Sequence, residues 1–522
     1  MEVSKFMKVN YPQTILNKSY GSTNTEVYLS RLCNETFLSL WSYPNLFRDQ
    51  GRTNSKRSEA KGDGKELCDI LVVFENHIII FSDKKCAFSS SGDIQLDWTR
   101  WYKKAVRDSA NQIWGAERWI FNYPNSIFID KKCTQPFPYA IPLRENAIVH
   151  RIIVAHEASK ECIKHLGGTG SLMISPHIVG DMHINTQDHR CIPFAIGQIN
   201  TQKGYVHVFD DTSLEVVMKT LDTISDFISY LTKKEELIQS GKLIGTAGED
   251  DLLGYYLENV DENREHTFLP KSKKIIDGIA IDEGVWDSFS KHPSRLAQIK
   301  ANEISYSWDM LIEKFIFHIT TGTSYYLSHP NIKNQEEIFR LLVKENRTRR
   351  RLLATAIHEL IAKTPDNKKA TKTVFPSRSG EPFYLFLLLP KLKNIPYEKY
   401  RAARYELLKS HLQILKLDYP KALDIIGLAT ETGISEERSE DFIYFDACKW
   451  TVENNKEAEE LKEEFISKGL LGKRTMFRSS IKEYPDGKPS KLIVGMKGSD
   501  RNMPCPCGSK KKFKNATEEK NK

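Results

Sequence analysis

Two carboxylates and a lysine stand where two β-rich runs of this 522-residue chain meet polar ends. The runs are "ELCDILVVF" (66–74) and "HIIIFSD" (77–83), joined only by Glu75 and Asn76, a spacing that predicts a tight hairpin. In a strand, residues i and i+2 share a face, so Asp83 and Lys85 project together at the end of the second run. Asp69 interrupts the apolar first run, where an ionised carboxylate is unfavourable unless a cation or hydrogen bonds compensate it. These residue types suit phosphodiester hydrolysis. One or two carboxylates hold a hard divalent cation, which activates water and neutralises developing charge. A neighbouring lysine orients or deprotonates the water and stabilises phosphate oxygens. The triplet alone means little, because Asp-x-Lys recurs at Asp63, Asp130, Asp366 and Asp486.

The surrounding elements give the triplet its context. Apolar residues at Leu29, Leu32, Cys33, Phe37, Leu40 and Trp41 predict an amphipathic helix over 25–41, ended by Pro44. A short strand around "YPNLFRDQ" (43–50) and a polar loop (51–65) precede the hairpin. A helix over 97–120 follows it, with Gln112 on the apolar stripe where a plain core would prefer leucine. "SIFID" (126–130), "AIVHRIIVAHE" (147–157) and "YVHVFD" (205–210) predict further strands, and 212–238 one or two helices opened by a Thr212 or Ser213 cap. The expected architecture is thus an α/β domain over 20–240. A mostly helical α+β domain over 241–472 follows, with a small sheet from 383–390, 424–430 and 442–447, and then a flexible polar tail over 473–522.

The order helix, strand, strand with Asp, strand ending in Asp-x-Lys, helix resembles the restriction-endonuclease-like nucleases of the PD-(D/E)xK superfamily. The resemblance covers about 27–120 and more loosely extends to 240. It implies a mixed sheet flanked by helices and a Mg²⁺- or Mn²⁺-dependent endonuclease acting on nucleic acid, DNA before RNA. By matching position, Asp69 would be the first metal ligand, Asp83 the second acid and Lys85 the catalytic lysine. Many members add a glutamate from the first helix, nearest in Glu35, and a glutamine from the helix after the lysine, which matches Gln112. The proline of the family pattern is replaced by Cys68. Within the chain, "SIFIDKKC" offers a rival in Asp130 and Lys132, but a long helix rather than a hairpin partner precedes it.

The tail "MPCPCGSKKKFKNAT" (503–517) resembles the SEC-C motif, a short zinc knuckle appended to many bacterial proteins. Cys505 and Cys507 match its first two ligands. Ala516 and Thr517 stand where the last two belong, so the tetrahedral set is half built and Zn²⁺ binding is in question. What is left is a basic tail able to touch nucleic acid or a protein partner.

Composition sets outer bounds. No stretch reaches the roughly 18 apolar residues of a membrane helix, and the N-terminus lacks a signal-peptide core, so a cytoplasmic, non-membrane protein is the expectation. The nine cysteines are mostly isolated, as suits reduced thiols. The net charge of +8 is compatible with nucleic acid without requiring it. Basic clusters lie at 52–65, at "RTRRR" (347–351) and from Lys510, and each taken alone is read as a solvated face or loop. His150, His156 and His165 are read as structural. "HEL" at 358–360 lacks the second histidine of a zinc-protease helix, and "GLATETG" (427–433) has neither P-loop nor dinucleotide spacing. Two functions follow: a metal-dependent nuclease, with bacterial defence as the setting the resemblance suggests, or a nuclease-like scaffold without catalysis that binds nucleic acid or protein.

Overall fold

A computed structural model describes residues 18–49, 63–270, 278–320, 332–378, 380–391, 394–433, 438–472 and 481–485. The basic segments 52–62 and 510–522, and with them Cys505 and Cys507, lie outside the described residues.

Helix α1 (Asn24–Phe37) opens at Thr23, whose hydroxyl accepts the Glu26 amide, and buries Leu29, Leu32, Cys33 and Phe37. It stops earlier than the apolar rhythm implies because Leu38 adopts a positive φ of 62°. Pro44, expected as the helix stop, lies instead inside strand β1 (Ser42–Arg48). Strands β2 (Lys65–Phe74) and β3 (His77–Lys85) form the expected hairpin, Phe74 paired with His77, and Glu75 takes the positive φ of 52° that a two-residue turn needs. Helices α2 (Ile94–Tyr102) and α3 (Asp108–Asn122) are one rod, joined by a single π-helical turn at Lys103–Arg107. Strand β4 (Ile127–Phe128) leads to β5 (Ile148–His156). Helix α4 (Ser159–Leu166) is followed by β6 (Met173–Val179), β7 (Ala195–Gln198) and β8 (Val206–Asp210). The unit closes with α5 (Ser213–Thr220) and α6 (Ile224–Gln239).

The main sheet is mixed, in the order β4-β1-β2-β3-β5-β8, with β1, β2 and β3 antiparallel and β3, β5 and β8 parallel. Its period-2 alternation decides what meets what. Phe81 of β3 meets Phe37 of α1, and Phe37 meets Phe227 of α6 at 5.2 Å. His77, Asp83 and Lys85 share Phe81's parity, so they belong to the face that α1 and α6 cover. The parallel register pairs Ile79 with His150, Lys85 with His156 and Ile152 with His207, which places these three histidines on the same face. The opposite face packs on α3, where Arg151 pairs with Glu117 at 2.6 Å.

A second sheet, in the order β10-β9-β6-β7, combines β9 (Leu243–Thr246) and β10 (Ile279–Ile281) with β6 and β7. Helix α7 (Glu249–Glu258) lies between them in sequence. The helical part then runs through α8 (Val285–Ser290), α9 (Pro293–Asn302), α10 (Tyr306–Thr320), α11 (Ile332–Val343) and α12 (Arg347–Lys363). The third sheet, β11 (Ala370–Val374), β12 (Phe383–Leu389), β13 (Asp424–Glu431) and β14 (Glu440–Asp446), is the small sheet expected from the apolar runs, with β11 added. Helices α13 (Tyr397–Asp418) and α14 (Val452–Ser467) complete the described chain.

The apolar core does not break near residue 240. One buried cluster runs from Leu29 of α1 to Leu428 of β13 and Tyr484. Polar staples cross the same boundary: Trp41 donates to Glu336 at 2.6 Å, and both the amide and hydroxyl of Ser39 donate to Glu313 at 2.6 Å. "RTRRR" is not a solvated face. Arg347, Arg349, Arg350 and Arg351 are all buried. Arg347 bridges Asp222 and Asp309, and Arg350 holds the other oxygen of Asp309 at 2.7 Å. These arginines bind helices together, so their charge is spent internally. The tail is also not wholly loose, since Tyr484 is buried against Phe289 and Glu483 pairs with His266 at 2.9 Å. Among the described residues no helix is long and apolar enough to cross a membrane.

Candidate active site

The site lies at the C-terminal ends of the parallel strands β3, β5 and β8. The β2–β3 ladder stops at Ile70 paired with Phe81, so strict alternation would have put Asp69 beside Ser82 on the other face. Instead the Asp69 carboxylate takes the place of a ladder carbonyl, its Oδ2 accepting the Asp83 amide at 2.5 Å. Asp83 is fixed from two more sides. Its Oδ2 accepts the Thr25 hydroxyl from the start of α1 at 2.5 Å, and its Oδ1 accepts His156 Nε2 at 2.7 Å.

His156 links Asp83 to a third acid. Its Nδ1 lies 2.6 Å from Asp211 Oδ1, just past the end of β8, and the second oxygen of Asp211 accepts the Glu157 amide at 2.7 Å. Carboxylates only accept, so both ring nitrogens donate and the ring is an imidazolium. Partial burial works against that charge, but the bonds to Asp211 and Asp83 outweigh it and hold the pKa at about 9. The Trp101 indole fixes the backbone here by donating to the His156 carbonyl at 3.0 Å. Glu157 sits at a positive φ of 76°, a conformation unfavourable for a residue with a side chain. There its carboxylate reaches Lys85 Nζ at 3.2 Å. Lys85 is 63% exposed while Asp83 is 1% exposed, so the lysine is the solvent-facing member of the pair.

Asp69 is electrostatically the most stressed group. Burial drives its pKa up to about 7; the Asp83 amide opposes this, while the charges of Glu66, Glu26 and Asp83 add to it. Asn45, at a positive φ of 48°, donates to both Glu26 and Glu66 and holds those two carboxylates near each other.

The glutamate that α1 directs toward Asp69 is therefore Glu26, not Glu35. Glu35 is exposed, pairs with Arg31 at 3.9 Å, and lies nine residues further on, about 13 Å along the helix. Its charged neighbours are Arg31, Lys219, Asp222 and Glu215, none of them at Asp83. Gln112 is likewise not brought to the site. It is exposed, because the buried stripe of α3 runs through Ser109, Ala110, Ile113, Ala116 and Ile120. The rival Asp130 caps a turn by accepting the amides of Thr134 and Gln135. No family model, curated protein or solved structure matches the chain.

The residues that sequence reasoning missed here are Thr25, Glu26, Glu66 and Asp211, and His156 was weighed only as structural. A signal existed for His156: it closes the strand parallel to β3 at the polar end, as Asp83 does. Asp211 follows the same rule on β8. In the sequence Thr25 and Glu26 are only the first two residues of the predicted helix over 25–41.

Proposed function

We propose that this chain is a metal-dependent phosphodiesterase acting on nucleic acid, DNA before RNA, with Asp69, Asp83 and Lys85 at its centre. The observation that carries the reading is the Asp69 carboxylate. It is half-buried, raised to about 7 by desolvation, faced by Glu26, Glu66 and Asp83, and tied to the strand end through Oδ2. Such a charge excess suits a hard divalent ion, Mg²⁺ or Mn²⁺. Asp69 and Asp83 would hold it, with Glu26 as the carboxylate that α1 offers. A bound ion supplies a more acidic water and neutralises charge on the phosphate. The sequence of α1, β1, β2, β3, the α2–α3 rod and β5 also follows the element order of the PD-(D/E)xK resemblance.

The chain's own groups have separate tasks. Lys85 projects on the Asp83 face into solvent, where its ammonium can bind a phosphate oxygen and orient the attacking water. Its pairing with Glu157 keeps the ammonium at the strand end. Thr25 and His156 hold Asp83 in one orientation.

One observation favours the alternative of a nuclease-like scaffold. Both oxygens of Asp83 are already engaged, by Thr25 and by the imidazolium of His156. A cation must therefore displace or share one of these bonds. Incubating plasmid, linear and single-stranded DNA and RNA with the protein and Mg²⁺ or Mn²⁺, beside Asp83→Ala, separates the readings. The enzyme reading expects metal-dependent cleavage lost in the variant, while binding without cleavage of any substrate would leave the scaffold.

A further inference from the structure

The other end of the same parallel strands carries a second cluster that takes no part in the site above. His77 opens β3, His150 lies early in β5 and His207 early in β8. Six residues separate His77 from Asp83 and His150 from His156, about 20 Å of strand in each case. Helix α6 brings Glu235 over this end.

The donors converge on one oxygen. His150 Nδ1 and His207 Nε2 each lie 2.9 Å from Glu235 Oε1, and the three ligand atoms are all within 4.8 Å of one another. In a tetrahedral zinc shell, with Zn–N and Zn–O near 2.0–2.2 Å, ligand atoms stand about 3.4 Å apart. Each of the two nitrogen–oxygen distances needs to lengthen by about 0.5 Å to reach that shell. We propose that His150, His207 and Glu235 form a binding site for a borderline first-row divalent ion, Zn²⁺ foremost, with the fourth position left to solvent.

Three observations support it. Imidazole and carboxylate in a two-to-one ratio is a donor set that zinc takes with an open position, whereas Mg²⁺ prefers oxygen alone. The adjacent Lys234 is turned away into a buried pair with Glu249, which leaves the Glu235 carboxylate facing the two histidines. Finally, His77 stacks on His150 with ring planes 6° apart, and its Nδ1 lies 3.0 Å from His150 Nε2. With Nδ1 of His150 on the metal, its Nε2–H donates to His77, the outer partner that fixes a ligating histidine's tautomer and orientation. His77 and Glu235 are only partly buried, which gives an ion a route in.

The test uses the full chain carrying Cys505→Ser and Cys507→Ser, so that the tail thiols cannot contribute. After chelation and dialysis, Zn²⁺ binding is measured by calorimetry, and Co²⁺ loading by its visible absorption. The expected result is one tight equivalent per chain and the intense bands of four-coordinate Co²⁺. Glu235→Gln, nearly isosteric, should lose that equivalent. His77→Ala, outside the ligand set, should weaken it about 10–100-fold, and Asp83→Ala should leave it unchanged. Folding of each variant is checked by circular dichroism, and His77→Ala keeps the test informative if the buried ligands prove intolerant. Absence of a stoichiometric equivalent, or wild-type affinity in Glu235→Gln, would overturn the proposal and leave a closed hydrogen-bond network. Loss of the equivalent in Asp83→Ala would equally overturn it.

Discussion

Replacing Asp69 by asparagine isolates the electrostatic stress at the candidate site. The group's pKa is about 7 in the folded protein against 3.8 as the ordinary value, raised first by burial. An acid raised on folding contributes full stability below its unfolded pKa and loses it as pH rises through the folded one, so the penalty grows between about pH 4 and pH 7. That displacement corresponds to at most about 4 kcal/mol at pH 8. Asparagine keeps an oxygen able to accept the Asp83 amide but carries no charge. With an unfolding entropy of about 2.1 cal/mol/K per residue, 4 kcal/mol is about 4 °C if the whole chain melts together and about 9 °C if a unit of some 220 residues melts alone. Scanning calorimetry of both proteins at pH 5 and pH 8 reads this directly. About 3 kcal/mol of the penalty falls between pH 5 and pH 8, so Asp69→Asn should gain on wild type by about 2–6 °C between the two pH values. Adding Mg²⁺ at about 100 times its dissociation constant should recover about 3 kcal/mol in the wild type alone. A gap that does not change with pH would refute the reasoning, as would equal Mg²⁺ effects on both proteins.

Other substitutions probe the neighbours of that carboxylate. His156→Gln removes a ring held at about 9, whose stabilisation is present below pH 6.5 and fades as pH rises through 9. Allowing for the exposure of Asp211, urea melts should show a loss of about 1–2 kcal/mol at pH 6 that shrinks by pH 10. Glu26→Gln should reduce metal-dependent cleavage strongly while Glu35→Gln and Gln112→Ala leave it near wild type, read from initial rates on one substrate. Arg350→Ala leaves one oxygen of the buried Asp309 without its partner while Arg347 still holds the other, so urea denaturation should show a loss of about 1–3 kcal/mol.

Local pattern made much of the fold legible. The hairpin, the strands at 148–156 and 206–210 and the small sheet near the C-terminus follow from apolar runs and turn residues that act within a few positions. Asp69 betrayed itself by its charge in an apolar run, and Asp83 with Lys85 by their shared face. What failed was long-range. Gln112 looked buried because the π-helical turn before α3 shifts the phase of the stripe, an event the sequence does not announce. Glu35 is the glutamate that the resemblance suggests from the first helix, whereas Glu26 is favoured by which end of α1 approaches β3. The arginines of 347–351 read as surface charge because their partners, Asp222 and Asp309, lie 125 and 38 residues away from Arg347. The boundary near 240 had the same cause, since the contacts that cross it join distant segments.

The proposed function requires Lys85 to act beside the Asp69 and Asp83 carboxylates. Initial rates of Mg²⁺-dependent plasmid cleavage, measured for wild type, Lys85→Ala and Lys132→Ala, test it most directly. A fall of about 100-fold or more is expected in Lys85→Ala and a rate within about twofold of wild type in Lys132→Ala, which sits in the same Asp-Lys-Lys-Cys pattern. Equal rates in all three proteins, or an inert wild type, would contradict it.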